Sequence, residues 1–393
     1  MRPTATKIKS AAIEKAGYSD FGADHSDDAL EAWAEDLDSP QLNSTGRAAF
    51  ASLMAGDLTR RLRVVDCLKR HPEIDQVEVP PILYISGLER TGTTFLHNLL
   101  SLPGNARPLL RWELMRPTPP PEVVTYKDDP RIALTQAAVD KLRGTMLERM
   151  HWVNADDPEE CQWGMIDGSS ILGASVFPIM PNWAAWYAHR DMEAAFTEYR
   201  KVIKLLLWKN PVPEGGHLVL KCPQFCDSLA AFAAVFPEAR FALLHRDPFR
   251  VVVSLSTMLT GILSPFLSDA NSLSADNFLV KKLTSRIETR VPNIAAFSEA
   301  NTNTVNVAYP DLVQTPGPTA EFVYEALGFE PPSDFQDRVR RYTEEQKQGK
   351  RAKPPQALPT HGLDHEAFRS RATVAAYCSR FQIKPERHRQ TGV

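Results

Sequence analysis

Ile82-Leu83-Tyr84-Ile85-Ser86-Gly87-Leu88-Glu89-Arg90-Thr91-Gly92-Thr93-Thr94-Phe95-Leu96-His97-Asn98-Leu99-Leu100 is the stretch on which the fold turns. Its first five residues are a short apolar run of the kind a parallel sheet buries on both faces. Its last six carry an apolar face at helical spacing. Strand, glycine loop and helix in that order form an anion cradle, because the N–H groups of the turn and of the helix N-terminus point at one place. The Gly87…Gly92 spacing matches the nucleotide loop G-x-x-x-x-G-K-[ST], with Thr93 where lysine belongs. An ATP-using enzyme needs that lysine on the terminal phosphates, so the loop argues for a nucleotide that presents less charge at this position. Arg90 supplies a cation in its place, and Thr91, Thr93 and Thr94 supply hydroxyl donors beside Gly92 and Phe95.

Outward from this stretch, Leu218–Lys221, Arg240–His245 and Val305–Tyr309 are further apolar runs, separated by segments long enough for crossover helices. The alternation predicts a P-loop-like three-layer α/β fold with a central parallel sheet flanked by helices. A second loop, His245-Arg246-Asp247-Pro248, follows one of these runs and opens a helix, with Asp247 suited to the N-cap and Pro248 to the first helical position. Arg246 and Ser254, about two turns on, converge on a second phosphate. The expected organisation is a helical N-terminal extension over 1–79, an α/β domain over 80–335 and a basic loop with a helical tail over 336–393. Within the domain, 117–208 reads as a mostly helical insertion. Its aromatics (Trp152, Trp163, Phe177, Trp183, Trp186, Tyr187) either wall a pocket or form the insertion's own core.

With 393 residues and a net charge of −3, the chain has enough length for a large core and no global basic surface for nucleic acid. Any phosphate site must be local. Five scattered cysteines (67, 161, 222, 226, 378) form no secreted disulfide framework and are expected as reduced thiols; Cys222 and Cys226 lack a second ligand pair for zinc. No secretory leader or membrane span of roughly 18 residues is read from the sequence, so a cytoplasmic protein is expected.

Together these residues resemble the PAPS-dependent sulfotransferase superfamily, and within it a large bacterial group, over most of residues 80–330. Arg90-Thr91-Gly92-Thr93-Thr94-Phe95 resembles its 5′-phosphosulfate loop, Arg246…Ser254 its 3′-phosphate site, and Leu220-Lys221-Cys222-Pro223 its strand-end motif. The segments 155–161 and 307–313 are also similar to recurring ones. The resemblance implies 3′-phosphoadenosine 5′-phosphosulfate (PAPS) as co-substrate, its 3′,5′-bisphosphate (PAP) as product, no metal, and a small-molecule, lipid or carbohydrate acceptor. A homodimer would be the commonest assembly.

Arg90 and Lys221, the latter at a strand's carboxyl end, are the expected stabilisers of the leaving group. Glu113 resembles the catalytic glutamate of tyrosylprotein and trehalose sulfotransferases and ranks first as general base; Glu160 is second. His97 and His151 read as packed or surface histidines. Lys350 and Arg351, in the basic loop, are expected donor contacts. One departure stands out: related sequences place histidine four residues after the strand-end lysine, and here that place is Phe225. A non-catalytic nucleotide-binding relative therefore remains an alternative, and a P-loop kinase a weaker one.

Overall fold

Five runs pair into one wholly parallel sheet: β1 (Ile82–Gly87), β2 (Ala106–Pro108), β3 (His217–Lys221), β4 (Ala239–His245) and β5 (Thr304–Ala308), in the order β2-β3-β1-β4-β5. The structure is a computed structural model and describes residues 3–22, 27–145, 148, 153–169, 173–348 and 362–386. Four strands stand where the apolar runs predict. β2 does not, because Ala106-Arg107-Pro108 has no apolar run; it is a three-residue edge strand whose proline costs no ladder bond to a further neighbour.

Alternate residues of the strands enter two different cores. Ile82, Tyr84, Leu218, Leu220, Phe241 and Leu243 face one, whereas Leu83, Ile85, Val219, Ala242 and Leu244 face the other. Three layers follow directly from this alternation. The second core is closed by the helices Thr93–Leu100 and Pro316–Ala326, through Leu96, Leu99, Val323 and Tyr324. The first is much larger and runs without a break into the N-terminal helices Ala5–Ala16, Asp27–Asp36 and Ser44–Arg70.

That continuity makes the extension part of the same core as the sheet. Trp33 packs edge-on against Trp183 of the insertion at 5.6 Å. Beside it, the Asp36 carboxylate accepts from the backbone N–H groups of Asn182 (3.1 Å) and Trp183 (2.9 Å), so a residue of the extension satisfies the first turn of the insertion helix Pro181–His189.

The helical stretch Pro248–Phe266 is, by length and composition, apolar enough to cross a membrane, and half of its window is buried inside the fold. All five cysteines are free and buried.

Among the described residues, three histidines are sealed in the fold. Burial drives His97 down to about 3, and Lys221 adds to the effect. His217 falls to about 4 through burial alone, and His245 to about 4 chiefly through burial. The unfolded chain takes up these protons near pH 6.5 and the folded chain does not, so acid favours unfolding. Their contribution is complete above about pH 6.5 and is lost progressively toward pH 3–4. Urea denaturation is expected to show about 2 kcal/mol less stability per histidine at pH 5 than at pH 7; equal midpoints would contradict it.

Candidate active site

The chain leaves β1 toward β2 on one side, whereas it leaves β4 toward β5 on the other. In an open parallel sheet the crevice at such a divergence, outside the carboxyl ends of the strands, is where ligands bind. The two loops singled out in the sequence meet there. Arg90 adopts a positive φ of 66° between Gly87 (131°) and Gly92 (94°), and this turns its side chain across the crevice toward the second loop. Its Nε donates to Ser254 Oγ at 3.1 Å, and Arg246 Nη1 donates to the Arg90 carbonyl at 2.8 Å. The Tyr309 ring lies 3.9 Å from the Arg246 guanidinium. Burial, and then the charge of Arg246, pull Arg90 below its ordinary value. Two guanidinium groups held this close in a buried crevice create a strong field for an anion.

Beside them lies a cation–carboxylate pair. Lys221, at the end of β3 and wholly buried, donates from Nζ to Glu160 Oε1 at 2.8 Å and to Thr94 Oγ1 at 3.3 Å. Burial opposes its charge, but Glu160 and Glu159 outweigh this and hold its pKa above the ordinary value. Backbone bonds deliver Glu160 to this place. Glu159 N–H donates to Leu109 O (3.0 Å), Trp112 N–H to Ala155 O (2.9 Å) and Arg111 N–H to Asp157 O (3.1 Å), so the 155–160 segment runs alongside 109–112. Glu159 then pairs with Arg111, whose guanidinium covers the Trp163 ring, and Glu160 is left facing Lys221.

Arg90, Thr94, Glu160, Arg246, Ser254 and Tyr309 line one cavity of about 630 Å³, with Lys221 buried against Glu160. Gly92, Thr93 and Phe95 of the first loop line it as well. Its lining also includes apolar side chains: Leu53 from the extension, Val139 and Leu142 from the insertion, and Met258 and Ile262 from the helix after the second loop, together with the charged Arg143 and Glu148. A model of the sulfotransferase family matches residues 81–334, well over half of the chain and both loops with it. The chain belongs to the sulfotransferase family. Its fold is similar to that of sulfotransferase STF9 from Mycobacterium avium, with a TM-score of 0.85 at 24% identity over 98% of each chain. It is also similar to sulfotransferase STF1 from Mycobacterium tuberculosis H37Rv, with a TM-score of 0.79 at 20% identity over 96% of this chain and 100% of that one. A search of curated protein sequences finds no match.

Several expected residues of the sulfotransferase site lie elsewhere. Glu113 is fully buried outside the cavity. Its two oxygens accept from Arg107 Nη1 and Nη2, each at 2.7 Å, and Oε1 also accepts from the Leu110 N–H (2.7 Å) and the Tyr126 hydroxyl (3.0 Å). Held by four donors, sealed from solvent and absent from the cavity lining, Glu113 is not brought to the reacting region. It fastens β2, which carries Arg107, to the helix Arg111–Met115. Glu113→Gln is expected to cost about 3–5 kcal/mol, because it leaves Arg107 buried with half a partner, while activity per folded molecule stays within a few-fold. Thermal melting and turnover on the same preparation separate these effects.

Thr91 is also buried, and its hydroxyl donates to Leu88 O at 2.7 Å, which staples the loop. Phe225 packs edge-on against Phe196 at 5.1 Å within the core, so the place of the histidine in related sequences is filled by a hydrophobic contact. Of the aromatic block, Trp163 lines the cavity and Trp183 is core. His97 is buried beneath β3, its Nε2 3.1 Å from Val219 O. Trp152, His151, Lys350 and Arg351 lie outside the described residues.

The sequence reading missed the support beneath the first loop. Glu89 is buried against Arg290 and Arg286 of the helix Phe278–Ala300, and Arg290 also reaches Asp227 Oδ2 (3.0 Å) and Gln224 O (3.1 Å). This cluster ties the loop after β1 to the turn after β3. Its one visible signal was a pair of arginines at i, i+4 on an otherwise amphipathic helix.

Proposed function

We propose that the chain transfers the sulfuryl group of PAPS to a hydroxyl of an acceptor with an apolar body, Glu160 acting as general base. The observation that carries this reading is the meeting, in one cavity, of Arg90, Arg246 and Ser254 with Glu160, whose carboxylate accepts from the buried Lys221. Arg90 and the first loop would hold the 5′-phosphosulfate, and Arg246 with Ser254 the 3′-phosphate. Glu160 takes the proton of the acceptor hydroxyl as its oxygen bonds to sulfur and the bond from sulfur to the bridging oxygen breaks. Lys221 and Arg90 neutralise the charge that grows on that oxygen, and the bisphosphate departs with the electron pair. The apolar lining from Leu53 to Ile262 supports a lipid-like or aromatic acceptor body over a free sugar.

A base within reach of the strand-end lysine favours catalysis over the alternative of a merely nucleotide-binding relative. The test is calorimetry with PAP and with Mg²⁺–ATP, followed by an acceptor screen using labelled PAPS and mass spectrometry. Binding of PAP with transfer to at least one apolar acceptor is expected. Binding of ATP in preference to PAP would overturn the reading.

A further inference from the structure

The second loop already holds an anion that belongs to the chain itself. Past the helix Ala372–Arg380 the backbone turns back over the carboxyl ends of the strands, and Glu386 reaches Arg246. Arg246 Nε donates to Glu386 Oε1 at 2.7 Å and Nη2 to Oε2 at 2.9 Å, while Arg250 Nε lies 3.9 Å from Oε2. The Glu386 backbone N–H donates to Asp247 Oδ2 at 2.9 Å. Neighbouring contacts pin the same segment: Arg369 Nη1 donates to Asp247 Oδ1 (2.7 Å) and its Nη2 to Ile383 O (2.9 Å). Two adjacent residues of the second loop therefore grip the side chain and the backbone of one glutamate.

We propose that Glu386 occupies the 3′-phosphate position and is the residue that sets how much a nucleotide gains from carrying that phosphate. This rests on the reading of Arg246 as the 3′-phosphate ligand. The planar edge formed by Nε and Nη2 is the edge that takes a phosphate or a carboxylate in two parallel bonds, and it takes one such group at a time. A 3′-phosphate must displace Glu386, whose side chain is 26% exposed and so has a path into solvent. A nucleotide with a free 3′-hydroxyl leaves the pair in place. Glu386 thus lowers the affinity for PAPS and for PAP together, and it favours release of the product. An edge that is free about a tenth of the time weakens apparent binding about tenfold.

The experiment is calorimetry on the full chain with PAP and with adenosine 5′-monophosphate, on wild type, Glu386→Gln and Arg246→Ala. Glu386→Gln is expected to tighten PAP about tenfold and to leave the monophosphate within twofold. Glu386→Ala, which keeps the backbone bond to Asp247, gives the same tightening and guards against a local effect of the amide. Arg246→Ala removes the advantage of PAP over the monophosphate. If Arg246→Ala does so but neither Glu386 variant tightens PAP, the role of Glu386 is overturned and the 3′-phosphate reading stands. If Arg246→Ala leaves the advantage of PAP intact, the 3′-phosphate reading itself falls, and the inference with it.

Discussion

Replacing Glu160 by glutamine is expected to lower turnover about a thousandfold, within the range for loss of a positioned general base, while PAP affinity stays within a few-fold. The two readouts separate because Glu160 meets Lys221, whereas the groups proposed to hold the nucleotide are Arg90, Arg246 and Ser254. Glutamine keeps the shape and loses the charge, and the charge of Glu160 is the largest influence holding Lys221 protonated against burial. The variant therefore removes the base and weakens the cation beside it. Single-turnover rates with PAPS and calorimetry with PAP on the same protein check this. A loss of less than tenfold would move the base elsewhere, and a large loss of PAP affinity would make Glu160 a binding residue.

The second large effect is structural. Gly87→Ala is expected to cost about 4 kcal/mol and to abolish nucleotide binding in what remains folded. At the φ of 131°, an added Cβ would lie 2.4 Å from Leu244 O and 3.0 Å from Leu244 N. Both atoms belong to the backbone of β4, paired in register with Gly87, and neither can move without opening the sheet. Gly92→Ala would meet the side chains of Leu312 (3.1 Å) and Tyr309 (3.2 Å), which can give way, so its cost is smaller. Gly104→Ala meets nothing within 4 Å at an ordinary φ and serves as the neutral control, within about 0.5 kcal/mol. Urea denaturation of the three variants ranks them, and a Gly87→Ala cost near that of Gly104→Ala would refute the steric account.

What could be read from the sequence was chemistry confined to a contiguous stretch. The first loop announces itself because strand, glycines, Arg90 and helix follow one another, and Asp247-Pro248 does the same for the second. The Lys221–Glu160 pair could not be read this way. Its members are 61 residues apart and meet only through the antiparallel contact between 155–160 and 109–112. Glu113 was misplaced for a local reason that was visible: it stands three residues after Leu110, where a glutamate reaches back to the helix start, and Arg107 lies six residues before it. The insertion's aromatics divided according to burial, which residue type alone does not decide.

The cavity is built from unlike materials. Where Arg90 and Arg246 meet, position depends on backbone turns and on ion pairs that tolerate little change. The apolar part of its lining depends on side chains lent by three separate stretches, Leu53, Val139 with Leu142, and Met258 with Ile262. Single exchanges among these methyl-bearing side chains would therefore reshape the pocket one increment at a time and leave the Arg90–Arg246 contact untouched.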